Sequence, residues 1–378
     1  MKHSVNRQGF KVTPEAAIEF TKTSVLLTYI WSPPSAKKVR FMLFKIFMYT
    51  SVFFSVIFIL SLVLSIIKYF DNLLIVMKSM AVLCGVTNFL AKVIIVRIYC
   101  KEFEQIELTL NDFVKNANES ERVILQKYVN KCWKFQFFVT CGSYVTTTLI
   151  MLGPLVLPQK FPTDAVYPFP VENKIVSCIV YLHQSIIGYH CSAAIILDCQ
   201  MALFLWYLCA RFESLGLEIK NVTNYQELRY IIRKHQSLLV YAEKVTRPIH
   251  AVVFSTVTIT KFIMICGAFF LLSDEPIAGK IQFGIMVVST TLNIYTSIWP
   301  ADCLLDISSK FITNEIFDMC WTWTQQMRKL CLLLIRRTQR PVVIKIPGLL
   351  ETLSNQYYSS FLSAAVSSFT ALRVIVNS

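Results

Sequence analysis

Seven stretches of this chain are each long and apolar enough to cross a bilayer: roughly 46–67, 73–95, 135–157, 175–197, 251–273, 281–301 and 352–372. A crossing takes about 20 apolar residues at a rise of about 1.5 Å each. Lys and Arg are distributed unevenly between these stretches. The amino-terminal segment and the second, fourth and sixth connections hold eight, seven, seven and seven of them. The first, third and fifth hold two, two and one, with Lys78 counted in the first. Short cytoplasmic loops retain positive charge. The expected architecture is an all-α membrane protein of seven transmembrane helices, with the amino terminus inside and the carboxyl terminus outside.

A net charge of +14 raises nucleic acid as a partner. However, the basic residues gather in the loops of one face, where they meet anionic membrane lipid, and no soluble domain is available to carry a nucleic acid. None of the twelve cysteines falls in the three expected outer connections, which argues against a disulfide framework. No His/Cys cluster has metal-site spacing, and GxGxxG, P-loop, HExxH and nucleophile-elbow patterns are absent. The expectation is a protein with no cofactor and no enzymatic activity. The N-x-S/T sequons at Asn118 and Asn221 fall in expected cytoplasmic connections and should be unmodified.

Residues 1–45 read as a cytoplasmic tail with an interfacial segment at Val25–Trp31. Residues 46–301 hold spans one to six, 302–350 form cytoplasmic helices, and 351–378 the seventh span. The third connection carries Pro158, Pro162, Pro168 and Pro170 among Phe161, Tyr167 and Phe169, which forbids a helix; it is either an ordered outer cap or a plain interfacial loop. The apolar pattern of the fourth span runs from Ile175 to Ala210, about 50 Å of helix against a core of about 30 Å. Only Asp198 breaks it, placed near the inner interface where the helix leaves the membrane. Lys92 and Lys261 read as snorkelling from the inner ends of their spans. A helix at Tyr225–Val245 leads into span five, and an amphipathic run at Cys303–Ile335 follows span six. These extensions must pack on one another or on neighbouring subunits.

The outer halves of spans two, three, four and six suggest a cavity. Met80, Leu83, Thr146, Ile150, Tyr181, Gln184, Tyr189, Phe283, Met286 and Thr290 would line an aromatic and Met-rich space with a few hydroxyls. That composition suits a small apolar or weakly polar ligand; ordinary helix packing is the alternative. His183 and His190 read as hydrogen-bonded packing, with a ligand or proton role the other possibility. The seventh span carries many hydroxyls between Ser354 and Thr370, which mark either tight helix contacts or a water-lined face.

The run Arg336-Arg337-Thr338-Gln339-Arg340-Pro341, then Ile346-Pro347-Gly348, resembles the carboxyl-terminal signature of insect odorant receptors. Ser367-Ser368-Phe369-Thr370-Ala371-Leu372-Arg373 resembles that family's final-helix pattern, and Ile232-Arg233-Lys234-His235-Gln236 is a second match. Asp302 departs from the small residue usual near that point. The resemblance implies a ligand-gated, non-selective cation channel subunit in the plasma membrane of an olfactory neuron, opened by a small volatile or apolar odorant or pheromone. It implies a heterotetramer with the shared co-receptor (Orco), joined through a cytoplasmic anchor. It also implies a pore lined by the seventh helix with gate positions Ala371, Val374 and Ile375. A gustatory-receptor-like channel shares the architecture, but its usual final-helix signature is absent. A seven-helix transporter would need inverted repeats or broken, charged helices. A G-protein-coupled receptor has the opposite orientation.

Overall fold

The computed structural model describes residues 12–25, 38–156, 159–273, 276–345 and 351–377, with the side chains of 38–41 and 372–377 outside the description. The described residues form helices and no strands. In chain order they are α1 (Pro14–Val25), α2 (Lys38–Lys68), α3 (Leu73–Ile98), α4 (Cys100–Asn116), α5 (Glu119–Met151), α6 (Lys174–Lys220), α7 (Tyr225–Leu272), α8 (Ile277–Asp306), α9 (Ile312–Cys320), α10 (Gln325–Thr338) and α11 (Asn355–Asn377). The sequence sets several starts through asparagine caps. The side chains of Asn72, Asn173 and Asn224 accept from the backbone N–H of Ile75, Ile175 and Glu227. Asn118 and Glu121 exchange bonds reciprocally at the start of α5. Each satisfies a donor that the first helical turn leaves without a partner.

Five helices among the described residues are long and apolar enough to cross a membrane, and they lie in α2, α3, α6, α7 and the α8–α9 run. The third expected span, in α5, is not among them; Lys131, Lys134, Gln136 and a run of Ser and Thr dilute its apolar character. It also stops at Met151 and not near residue 157, because a tight turn at Gly153–Leu155 contains Pro154. For α11, side chains are described only as far as Ala371.

The bundle has two ends. At one lie the loop 159–173 and the short α2–α3 and α7–α8 connections. At the other the long helices project past the rest and meet α1, α4, α9 and α10. We call these the loop end and the extension end. The helix α6 is the hub, packed against α1, α3, α5, α7, α8 and α9. From Ile196 to Ala210 it is buried on every face. Its apolar extension is therefore covered within the chain. The same core takes in Ile18 and Val25 of α1, so the expected tail contains a packed helix. Of the expected interfacial segment, only Val25 lies within the described residues.

Two prolines are absorbed without a break. The helix α7 runs through Pro248 and α8 through Pro300, so the Tyr225–Val245 helix and span five are one element. Each proline removes a single backbone donor from a ladder that the surrounding packing holds. Past Asp306 the helix widens for one π turn, Ile307–Phe311, before continuing as α9. Phe311 fills the space opposite Gly216 of α6, where a Cβ would overlap its ring. Trp323 Nε1 then donates to Val222 O at 3.2 Å and turns the chain back into α10.

Candidate ligand site

Two adjoining cavities lie at the loop end. The larger, about 360 Å³, is bounded by α3, α8, the end of α7 and the loop residues Gln159–Asp164. The smaller, about 130 Å³, lies deeper between α3, α5, α6, α7 and α8. Val82, Ile150, Thr163 and Met286 line both, so one molecule meets a continuous wall in passing between them.

The proline-rich loop is an ordered cap. Val166 N donates to Ser61 O at 3.0 Å, and Ser65 Oγ donates to Asp164 O at 2.6 Å, which ties the loop to α2. Thr163 N donates to Gln184 Oε1 at 3.1 Å, which ties it to α6. Tyr167 bonds His183 Nδ1 at 3.1 Å, while the other ring nitrogen of His183 meets Phe54 O at 3.0 Å. His190 bonds Ser51 Oγ at 2.9 Å and stacks on Phe89. Both histidines are thus occupied in packing.

Six of the ten sequence-derived pocket residues line a cavity. Ile150 and Met286 line both, Phe283 lines the larger, and Thr146, Gln184 and Thr290 line the smaller. Phe283 stacks on Phe270 at a ring separation of 4.0 Å and so braces α8 against α7. Met80, Leu83, Tyr181 and Tyr189 line neither. On α3 the residues that line the cavities are Leu74, Ile75, Lys78, Ser79, Ala81, Val82, Gly85, Val86 and Asn88. Residues 80 and 83 are each one position on from Ser79 and Val82, about 100° round the helix. Leu83 packs instead beside Phe58, Leu62, Val86 and Ile187. Tyr181 OH donates to Met151 O at 2.5 Å, and Tyr189 OH meets Thr148 Oγ1 at 3.1 Å. Both tyrosines join α5 to α6. The sequence reading missed Asn88 and Asn293; isolated amides in otherwise apolar spans were the available signal.

A second departure lies just below the smaller cavity. Lys92 does not snorkel, and Asp198 does not reach an interface. Their side chains are 0% exposed, and Lys92 Nζ lies 2.7 Å from Asp198 Oδ2. Lys92 also donates to Ala194 O at 2.8 Å. Thr256 Oγ1 donates to Asp198 at 3.1 Å, and Asn293 Nδ2 donates to it at 2.5 Å. One carboxylate thus gathers donors from α3, α7 and α8 onto α6. Buried charge of this kind persists only when paired and hydrogen-bonded. Lys261, by contrast, is exposed.

The helix α8 also holds α11. Tyr358 packs its ring 5.1 Å from that of Tyr295, and its hydroxyl donates to Thr291 O at 3.4 Å. Asp302 accepts from Asn355 through the backbone N–H at 3.1 Å and through Nδ2 at 2.5 Å, fixing the start of α11. The residue that departs from the family pattern thus anchors the last helix. Leu353 and Phe361 of this segment are buried, while Ser359, Ser360, Ser363, Ser367, Ser368, Thr370 and Ala371 face outward. The side chains of Val374 and Ile375 lie outside the described residues, as does Ile346-Pro347-Gly348.

Long apolar helices thus surround two part-open cavities, capped by a loop, with space for a small molecule. A family model described as 7tm Odorant receptor matches residues 72–365. The chain belongs to the odorant receptor family, whose members are receptors and not enzymes. It is 26% identical over 158 residues to Odorant receptor Or2 of Anopheles gambiae, covering 41% of each chain. It is 22% identical over 256 residues to Odorant receptor 13a of Drosophila melanogaster, covering 60% of each. These alignments thus take in only part of either relative. In fold it is similar to the olfactory receptor OR5 of Machilis hrabei, determined in complex with eugenol. That likeness has a TM-score of 0.80 at 12% identity, over 96% of this chain and 99% of the other. A second structure of the same olfactory receptor OR5 gives 0.81.

Proposed function

We propose that this chain is the odorant-binding subunit of a cation channel, gated by a small, mainly apolar ligand in the two cavities. The observation that carries the reading is the double role of α8. Met286, Ser289, Thr290 and Asn293 line the smaller cavity, while Thr291 and Tyr295 contact α11. A ligand that fits one position of α8 better than another shifts α11 with it, by differential affinity for two states. The outward hydroxyl face of α11 suits a water-lined axis, and Ala371, Val374 and Ile375 are the gate positions at its end. The loop end is extracellular and the extension end cytoplasmic, as the basic residues require.

Assembly is as a heterotetramer with the co-receptor (Orco) in the plasma membrane of a sensory neuron. With α6 covered internally, the anchor surface lies on the other extension helices. Tyr230 and Val240 of α7, Phe317 of α9, Trp321, and Leu332 and Leu333 of α10 are large apolar residues left exposed. These residues are the proposed contact surface for neighbouring subunits. Expression with and without the co-receptor, with current recorded against an odorant panel, tests the proposal. Odorant-evoked cation current that needs both subunits is expected. Current that is absent under every ligand, with both subunits co-purifying at the surface, refutes it.

A further inference from the structure

We infer that the smaller cavity selects ligands carrying a hydroxyl group, with Asn293 as its acceptor; the inference rests on the cavities being the odorant site. Asn293 lies on α8 toward the extension end of that cavity and is 2% exposed. Its Nδ2 donates to Asp198 at 2.5 Å. An ionised carboxylate only accepts, so the amide cannot turn over to present its oxygen there. Lys92 and Thr256 hold Asp198 from two further helices, which fixes the orientation. The amide oxygen is left buried with no donor. A buried acceptor without a donor is a standing cost, and a ligand donor removes it.

The other polar groups narrow the class. Ser143, Thr146, Ser289 and Thr290 each give their hydroxyl proton to a carbonyl of their own helix. They leave only lone pairs for a ligand. Asn88 accepts from Ser255 through Oδ1 at 3.0 Å, which leaves its amide nitrogen as a donor, and Gln184 Nε2 and Thr163 Oγ1, both buried without a partner, can donate as well. A hydroxyl group offers both a donor and an acceptor. An ether or ketone can accept from Asn88, Gln184 or Thr163 but leaves the Asn293 oxygen unmet, and a hydrocarbon meets none of the three amides. A fully charged group would carry its desolvation penalty into a cavity walled mainly by Phe58, Val82, Ile150, Ile187 and Met286. Small alcohols and phenols are the class that fits.

The test uses the chain co-expressed with the co-receptor. Primary alcohols and phenols are each compared with the methyl ether and the hydrocarbon of the same heavy-atom number. Half-maximal concentrations about tenfold or more lower for the hydroxyl compounds are expected. Asn293→Leu keeps apolar bulk but removes the acceptor, so that preference should shrink to about threefold or less. Met286→Trp, which fills both cavities, should weaken all three classes together. Ethers or hydrocarbons equal to the alcohols in the wild-type receptor, or silence of every hydroxyl compound, overturns the inference. So does a preference that survives Asn293→Leu. If that variant fails to reach the surface, the wild-type ratios decide. Unchanged potencies in Met286→Trp would instead sink the cavity reading itself.

Discussion

Replacing Lys92 by Met removes an ammonium group whose place in the fold is fully enclosed. Met keeps the unbranched shape, so the change isolates the charge. Asp198 would then hold a buried negative charge with only the neutral donors of Thr256 and Asn293. With 0% exposure on both side chains, water offers no replacement. Breaking one side of such a pair costs about 3–5 kcal/mol. Asp198→Leu should cost more. It strands Lys92 with the Ala194 carbonyl alone, and it also orphans the Thr256 and Asn293 donors, at about 1–3 kcal/mol each. The double variant Lys92→Met/Asp198→Leu removes both charges and should recover the charge part of the loss, while the Thr256 and Asn293 donors stay without their acceptor. The assay is the thermal midpoint of the detergent-solubilised protein, with surface expression as a second readout. The expected order of stability is wild type, then Lys92→Met and the double variant at a comparable level, then Asp198→Leu. A Lys92→Met protein as stable as wild type, or a double variant worse than both single ones, refutes the reasoning.

Gly267→Ala should destabilise by about 1–3 kcal/mol, because its Cβ overlaps Val287 across the α7–α8 contact. Gly85→Ala, which meets nothing within 4 Å, should fold normally and serves as the control in the same melting assay. Asp302→Ala removes both acceptors of Asn355, worth about 1 kcal/mol at a helix start. It should change basal current or odorant sensitivity at unchanged surface level; unaltered gating would detach α11 from this contact. An epitope tag after Ser378 should stain on intact cells while Asn118 and Asn221 stay unglycosylated, and sugar at either site would invert the topology. A charged substitution at Val374 should alter ion selectivity or basal current with assembly intact; channels unaffected in both would move the gate elsewhere.

The helical, membrane-spanning character of the chain was legible because apolar length and loop charge are local properties. The family was legible in short local runs near the carboxyl end. What depended on rotation about a helix axis was not. Met80 and Leu83 stand one residue on from Ser79 and Val82, which turns them about 100° from the cavity stripe. The cavities open beside small residues such as Ser79, Gly85 and Gly188, which carry no hydropathy signal. Lys92 and Asp198 are 106 positions apart. Each looks like a local problem with a local escape, one by snorkelling and the other by leaving the membrane. Counting from the loop end, Lys92, Asp198, Thr256 and Asn293 all fall between the 17th and the 25th residue of their helices. A shared depth of polar residues was the signal that they meet.

That shared depth also explains why the polar cluster sits where it does. Toward the loop end the helices separate around the cavities, whose walls are mainly apolar. Toward the extension end, α6 is packed on all sides and cannot shift relative to its neighbours without opening a core. The Asp198 carboxylate lies at the junction of the two regions and binds α3, α7 and α8 to the hub. A hydrogen-bonded charge demands one alignment of its donors, whereas apolar side chains accept several. The cluster therefore gives the cavity a rigid base. In the gating proposed above, movement of α8 would be confined to the part beyond Asn293, on the loop side. That same part carries Thr291, the residue that receives the Tyr358 hydroxyl of α11.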